Sequence, residues 1–218
     1  MQISREQARA LGIKLPSSAK RAKKPAPPDS YVPHDCVILA IDPGNVSGYA
    51  IVTPLSSKNG SVYSGQTAEG QARVVVLAKE AALAQVRPLV VVGETWTTGD
   101  RVHDRRMHAA VLLGLGAAWE RWRLAFDAVG LPKSRVIRVN TATWRSKVIG
   151  GPMNRTTAEW KGLARLHAEG RFRKRRELDG LVPRPLGDDE AEALCIAAWA
   201  MHAGAVGEAV KKAGKRYP

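Results

Sequence analysis

Apolar residues in this chain come in short unbroken runs, and two of the runs close on an acid. Val37 to Ile41 is apolar throughout and stops at Asp42; Leu89 to Gly93 has no polar side chain and stops at Glu94. Runs of this length read as strands covered on both faces. The pattern predicts strands over 37–42, 48–53 and 89–94, a weaker one over 61–65 and a short one over 135–139. Pro43 and Gly44 turn the first run into the second, so these two form a hairpin. Gly44 also leaves room for a ligand to approach.

Helical patterns fill the intervals. Residues 67–86, rich in Ala, Gln and Lys, read as a helix ended by Pro88. Residues 104–128 are the longest candidate, with Leu112, Leu113, Leu115, Trp119 and Trp122 on the apolar side. Gly114 and Gly116 cost helix stability there, which points to close packing against a neighbour. Shorter helices are expected around Thr141–Val148 and Thr157–Glu169, separated by a Gly-Gly-Pro break with Asn154 and Arg155. A last helix runs from about Asp189 to His202 after the loop marked by Pro183, Pro185 and Gly187.

Three strands in succession imply an antiparallel meander, and the later strand–helix alternation implies parallel additions. The expected class is α/β, a mixed five-stranded sheet flanked by helices. Residues 36–204 form the folded domain. Residues 1–35 read as a basic, proline-rich extension with a short capped helix from Ser4 and Gln7 to Leu11, then Lys20, Arg21, Lys23 and Lys24 before Pro25, Pro27 and Pro28. Residues 205–218 form a basic tail.

Charge narrows the class of partner. The 218 residues carry 34 Lys and Arg against 20 Asp and Glu, a formal net charge of +14. Such an excess calls for a polyanion. No apolar run reaches membrane-spanning length, no signal peptide is evident, and no membrane partner is expected. Cys36 and Cys195 lie in separate apolar segments without metal-ligand spacing and read as reduced core residues of a cytosolic protein.

Against this basic background the acids at strand and helix ends carry the chemistry. An ionised Asp at the end of a buried strand is costly without a cation. Asp42 and Glu94 sit at two such ends; Asp188, Asp189, Glu190 and Glu192 open the last helix, with Asp189 and Glu192 three apart on one face. Each has an ordinary reading: Asp42 as a turn former, the helix acids as caps favoured by the macrodipole. Together they suit Mg²⁺, which takes one or two carboxylates plus phosphate oxygens. Two such ions about 3.5–4 Å apart would hold an attacking water and a leaving oxygen in line, the arrangement of a phosphodiesterase.

Asp42-Pro43-Gly44 with Gly48-Tyr49, then Glu94 ending an apolar strand, then Asp189-x-x-Glu192-Ala-Leu resembles the RuvC-type Holliday junction resolvases. The resemblance spans roughly Val37 to Ala203. It implies an RNase H-like fold, a homodimer, four-way DNA junctions as substrate, and Mg²⁺, with Mn²⁺ as a substitute. It also implies Asp42, Glu94, Asp189 and Glu192 as metal ligands. Three departures stand out. Glu192 occupies a position that is usually Asp, Asp188 is an extra acid that leaves the ligand open between 188 and 189, and the segment from Gly150 to Arg176 is longer and more basic. Lys161 is the match for the family's active-site lysine, and Trp96 for its junction-wedging aromatic.

Trp96 reads alternatively as packing at the rim of a strand. Packing is the commoner role for such a residue, but Arg101, His103, Arg105 and Arg106 follow it closely and add stacking on unpaired bases as a second reading. Arg171, Arg173, Lys174, Arg175 and Arg176 read either as a solvated loop or, preferably, as phosphate contacts. The expected function is junction-cleaving Mg²⁺-dependent endonuclease activity, in a bacterial cell or phage-infected host. An RNase H acting on RNA–DNA hybrids, or a nuclease for other branched DNA, is the alternative within the fold. A DNA-binding protein without catalysis is a further one, against which the intact acid set argues. Actin-like and sugar-kinase ATPases share strand-turn-strand units but need two such domains.

Overall fold

The structure is a computed structural model that describes residues 36–53, 62–95, 109–151, 155–178, 185–201 and 206, with the side chains at 109–112 and 173–178 outside the described set. Five strands form one sheet: β1 Val37–Asp42, β2 Ser47–Val52, β3 Val62–Thr67, β4 Leu89–Thr95 and β5 Val136–Asn140. Their spatial order is β3-β2-β1-β4-β5. β1, β2 and β3 pair antiparallel, whereas β1–β4 and β4–β5 pair parallel. The meander with parallel additions expected from the sequence is present.

Strand alternation assigns the two faces. Val37, Leu39, Ile41, Leu89 and Val91 point into a core completed by Trp119, Trp122 and Phe126. That face is covered by α1, Gln71–Ala84, and α2, Ala109–Ala128. Asp42 and Glu94 have the opposite parity, so they share the other face with Ile38, Ala40, Val90 and Val92. Across this face packs α5, Asp188–Ala200, itself covered by α4, Thr157–Leu178. All but three of the thirteen positions of α5 are buried, as expected of a helix held between a sheet and another helix. Small alanines at 191, 193, 197, 198 and 200 let it lie close to both.

Several expected boundaries move, each for a local reason. Residues 67–70 are not helical, because Thr67 pairs with Ser47 and its Oγ1 accepts from the Gly70 amide at 2.7 Å. The helix expected to stop at Glu169 runs on to Leu178, so the run from Arg171 to Arg176 is helical and not a loop. Trp160, Ala164, Ala168 and Phe172 are all buried at four-residue spacing, and this stripe carries the helix past Gly170. Leu113, placed on the apolar side of α2 by its sequence, is 74% exposed. Neither glycine of α2 is tightly packed within the described residues: a Cβ at Gly114 would meet only Asn45 Oδ1, at 3.6 Å, and one at Gly116 would meet nothing within 4 Å. The short helix α3, Thr141–Trp144, passes directly into a π-helical turn over Arg145–Ile149. Cys36 and Cys195 are buried and neither is in a disulfide, as expected. Among the described residues no helix is long and apolar enough to cross a membrane.

Candidate functional site

Sheet register brings the two strand-end acids side by side. Ile41 pairs with Gly93 across the parallel β1–β4 ladder, and Asp42 and Glu94 follow one position later on the same face. On the antiparallel side Asp42 pairs with Gly48. A Cβ at Gly48 would collide with the Asp189 carbonyl and lie 2.8 Å from the Glu190 amide nitrogen. The missing side chain therefore admits the first turn of α5 onto the hairpin. The result is one carboxylate oxygen each from Asp42, Asp189 and Glu192, all within 4.8 Å of one another.

Glu94 stands beside this trio, outside that oxygen cluster. Thr141 Oγ1 donates to its Oε1 at 2.5 Å and Trp144 Nε1 to its Oε2 at 2.7 Å. Burial and the charge of Glu192 push the Glu94 carboxyl above the usual range, against these two hydrogen bonds and the charge of Arg145. Asp42 is also pushed well above the usual range. Burial is the main cause, followed by repulsion from Glu94, Glu192 and Asp189, with Arg145 opposing. Buried carboxylates that repel one another this strongly form a site with an unmet demand for positive charge.

The acids at the start of α5 have separate occupations. Asp188 lies outside the trio and meets Lys161 Nζ at 3.6 Å and Arg165 Nε at 3.2 Å. Asp189 is approached by Lys161 Nζ at 3.5 Å and accepts from Gln66 Nε2 at 3.4 Å. Glu190 does the capping: its carboxylate is fully buried, accepts from Ser64 Oγ at 2.7 Å, and takes the Gly187 amide at 3.4 Å. Glu192 is held by Arg145 Nη2 at 2.6 Å. Burial pulls the Lys161 ammonium down, but Asp189, Asp188 and Glu192 outweigh it and hold it above the usual lysine value.

Of the residues singled out from the sequence, Asp42, Asp189, Glu192, Glu94 and Lys161 thus converge, and Asp188 flanks them. Arg171 lies on α4. Trp96, Arg101, His103, Arg105 and Arg106 lie outside the described residues, as do the side chains of Arg173, Lys174, Arg175 and Arg176. The N-terminal extension, with its expected helix at Ser4–Leu11, is outside them too. Thr141, Trp144, Arg145 and Ser64 carry no signal in the sequence. They are single residues of common types, and only β5 and β3 pairing carries them to the acids.

The donor set tests well for a hard divalent cation. It consists of carboxylate oxygens from one strand end and a helix start, with no sulfur or imidazole among them. Asp42, Asp189 and Glu192 would hold such an ion, with Glu94 adjacent.

Sheet order and helix placement define an α/β protein with a mixed five-stranded sheet flanked by helices. Among solved structures the chain is similar to T. thermophilus RuvC in complex with a Holliday junction substrate, at 18% identity and a TM-score of 0.46, over 75% of this chain and 90% of that one. It is also similar to the yeast mitochondrial Holliday junction resolvase Ydc2, at 10% identity and a TM-score of 0.45, over 87% and 88% respectively. No protein-family model matches the sequence, and no curated protein matches it.

Proposed function

We propose that this chain is a divalent-metal-dependent endonuclease that resolves four-way DNA junctions by paired phosphodiester hydrolysis, working as a homodimer. The observation that carries the reading is the meeting of Asp42, Asp189 and Glu192 within 4.8 Å, beside Glu94, in a chain whose net charge is +14. An acidic centre in so basic a protein suits a polyanionic substrate bound by the surface and cut at the centre. The resemblance of the order Asp42, Glu94 and Asp189-x-x-Glu192 to the RuvC-type resolvases supports branched DNA as the substrate.

When bound, Mg²⁺ or Mn²⁺ supplies charge stabilisation at the scissile phosphate and activation of water. The chain's own residues do the rest. Asp42 and Glu94 are anchored by the sheet, so their separation is set by strand register and not by loop conformation. Thr141 and Trp144 fix both oxygens of Glu94. Lys161 stays protonated beside Asp189 and is the cation on hand for a phosphate oxygen.

Labelled four-way junction, linear duplex, flap and RNA–DNA hybrid, each incubated with Mg²⁺ and the intact chain, test the proposal. Symmetric nicking of the junction is the expected result. Preferential cutting of the hybrid would identify an RNase H instead.

A further inference from the structure

We propose that Arg145 is a positioning residue, whose guanidinium, set against two tryptophan rings, holds one oxygen of Glu192 in the carboxylate group. This rests on the metal-centre reading above and adds to it the part that orients the ligand with the longest reach.

Arg145 opens the π-helical turn Arg145–Ile149, where Gly150 N donates back to Arg145 O at 2.9 Å. Turns of this type bulge a helix and redirect the side chain at the bulge. Here the redirected guanidinium is flanked by Trp144, whose ring centre is 5.3 Å from Cζ, and by Trp160, at 5.4 Å. Both rings are buried, and Arg155 covers Trp160 in turn at 5.0 Å. A planar cation held by two indoles cannot sweep through rotamers as a surface arginine does.

What the guanidinium does with this fixed position is specific. Nη2 bonds Glu192 Oε1 at 2.6 Å, with the two side chains 18% and 7% exposed. Its Nε is buried without a hydrogen-bond partner among the described residues. The arrangement leaves Oε2 of Glu192 clear of the ion pair. The same short segment treats Glu94 alike, since Trp144 both stacks on Arg145 and donates to Glu94 Oε2. Residues 141–145 therefore orient two acids from two different elements, as supporting residues around metal ligands do. Glutamate has one more rotatable bond than aspartate, so Glu192 has the greater need for a partner that fixes it.

The experiment is direct Mn²⁺ binding by titration calorimetry to the intact chain without DNA, with far-UV circular dichroism and thermal melting as checks of folding. Arg145→Gln and Arg145→Lys are both expected to weaken Mn²⁺ binding about 10–100-fold. Lysine keeps the charge but loses the planar fork, so wild-type affinity in Arg145→Lys would overturn the proposal. Equal or tighter binding in Arg145→Gln would overturn it as well. In a Glu192→Gln background, adding Arg145→Gln should change affinity by no more than about twofold, because its effect passes through Glu192. A full repeat of the single-variant loss there would make Arg145 a general structural residue. Should Arg145→Gln fail to fold, Arg145→Lys and Trp160→Phe carry the comparison, the latter by loosening the stack. A wild-type chain that binds no Mn²⁺ overturns the metal-centre reading itself, whereas wild-type binding with unchanged variants overturns only the role of Arg145.

Discussion

Gly48 and Asp189 touch backbone to backbone: a Cβ on Gly48 would overlap the Asp189 carbonyl and reach 2.8 Å from Glu190 N. The hairpin after Asp42 and the helix carrying Asp189 and Glu192 can approach only because residue 48 has no side chain. Both contacting groups are backbone, so neither can turn aside. Gly48→Ala should cost about 1–3 kcal/mol or more of stability, read as a drop in melting temperature. It should also weaken Mn²⁺ binding, because α5 must back away from Asp42. Gly116→Ala is the control: with nothing among the described residues within 4 Å of its Cβ, it should be neutral or stabilising by up to about 1 kcal/mol.

Asp42→Asn should abolish cleavage while leaving DNA binding intact or tighter, since it removes a metal ligand and also a repulsion of phosphate. Glu94→Gln should behave in the same way. A loss of less than about tenfold in single-turnover rate, on the order of 1.4 kcal/mol, would contradict the assignment.

The raised carboxyls of Asp42 and Glu94 give a signed pH effect. A carboxyl whose folded value lies above its unfolded one makes the native state bind more protons, so stability falls as pH rises through that interval. The window opens near the ordinary carboxylate value of about 4 and extends up to the raised values. Without divalent cations, the wild-type melting temperature should therefore fall relative to that of Asp42→Asn as pH rises from about 5 to about 7.5. Millimolar Mg²⁺ should restore it at the upper end, and calorimetric scans of both proteins across pH check this. Parallel curves for the two proteins would show that Asp42 is not the strained group.

Changing Arg173, Lys174, Arg175 and Arg176 to Ala should weaken binding to every DNA form. It should also flatten the dependence of log affinity on log salt by about 0.9 for each duplex phosphate that is no longer neutralised. Cleavage at saturating DNA should fall far less than in Asp42→Asn. Trp96→Ala should instead lower junction binding by about 1–3 kcal/mol and spare linear duplex, if the ring stacks on opened bases. Electrophoretic titrations over a range of salt separate the two behaviours.

A four-way junction has two-fold symmetry, so symmetric nicking asks for a C₂ dimer. The candidate surface is α2, where Leu113 and Leu124 are 74% and 59% exposed. Leu113→Glu together with Leu124→Glu should shift the mass in light scattering from dimer to monomer and convert paired cuts into single nicks. A wild-type monomer at micromolar concentration, with and without junction DNA, would remove the proposal.

Much of the fold is legible along the chain because strand and helix periods are local properties. The runs 37–42 and 89–94 are continuous in apolar residues and end in acids, and the observed β1 matches its expected bounds while β4 extends one residue further. The helix through Arg171–Arg176 comes out too short from sequence, because a basic run looks the same whether it is loop or helix. Phe172, buried four residues after Ala168, decides it.

The acids at 42, 94, 189 and 192 are visible as candidates from their positions at element ends. Sequence does not choose between Asp188 and Asp189, since adjacent residues on a helix point about 100° apart and either could face the sheet. Packing of α5 against Gly48 sets that rotation, turning Asp188 to Lys161 and Arg165 and bringing Asp189 to Asp42. Arg145 is invisible for the same reason in stronger form. Its partner lies 47 positions away, and only the parallel pairing of β4 with β5, followed by a π turn, aims its guanidinium at Glu192. Local pattern thus determined which elements form and which carry acids; long-range register and helix rotation decided which of those charges meet.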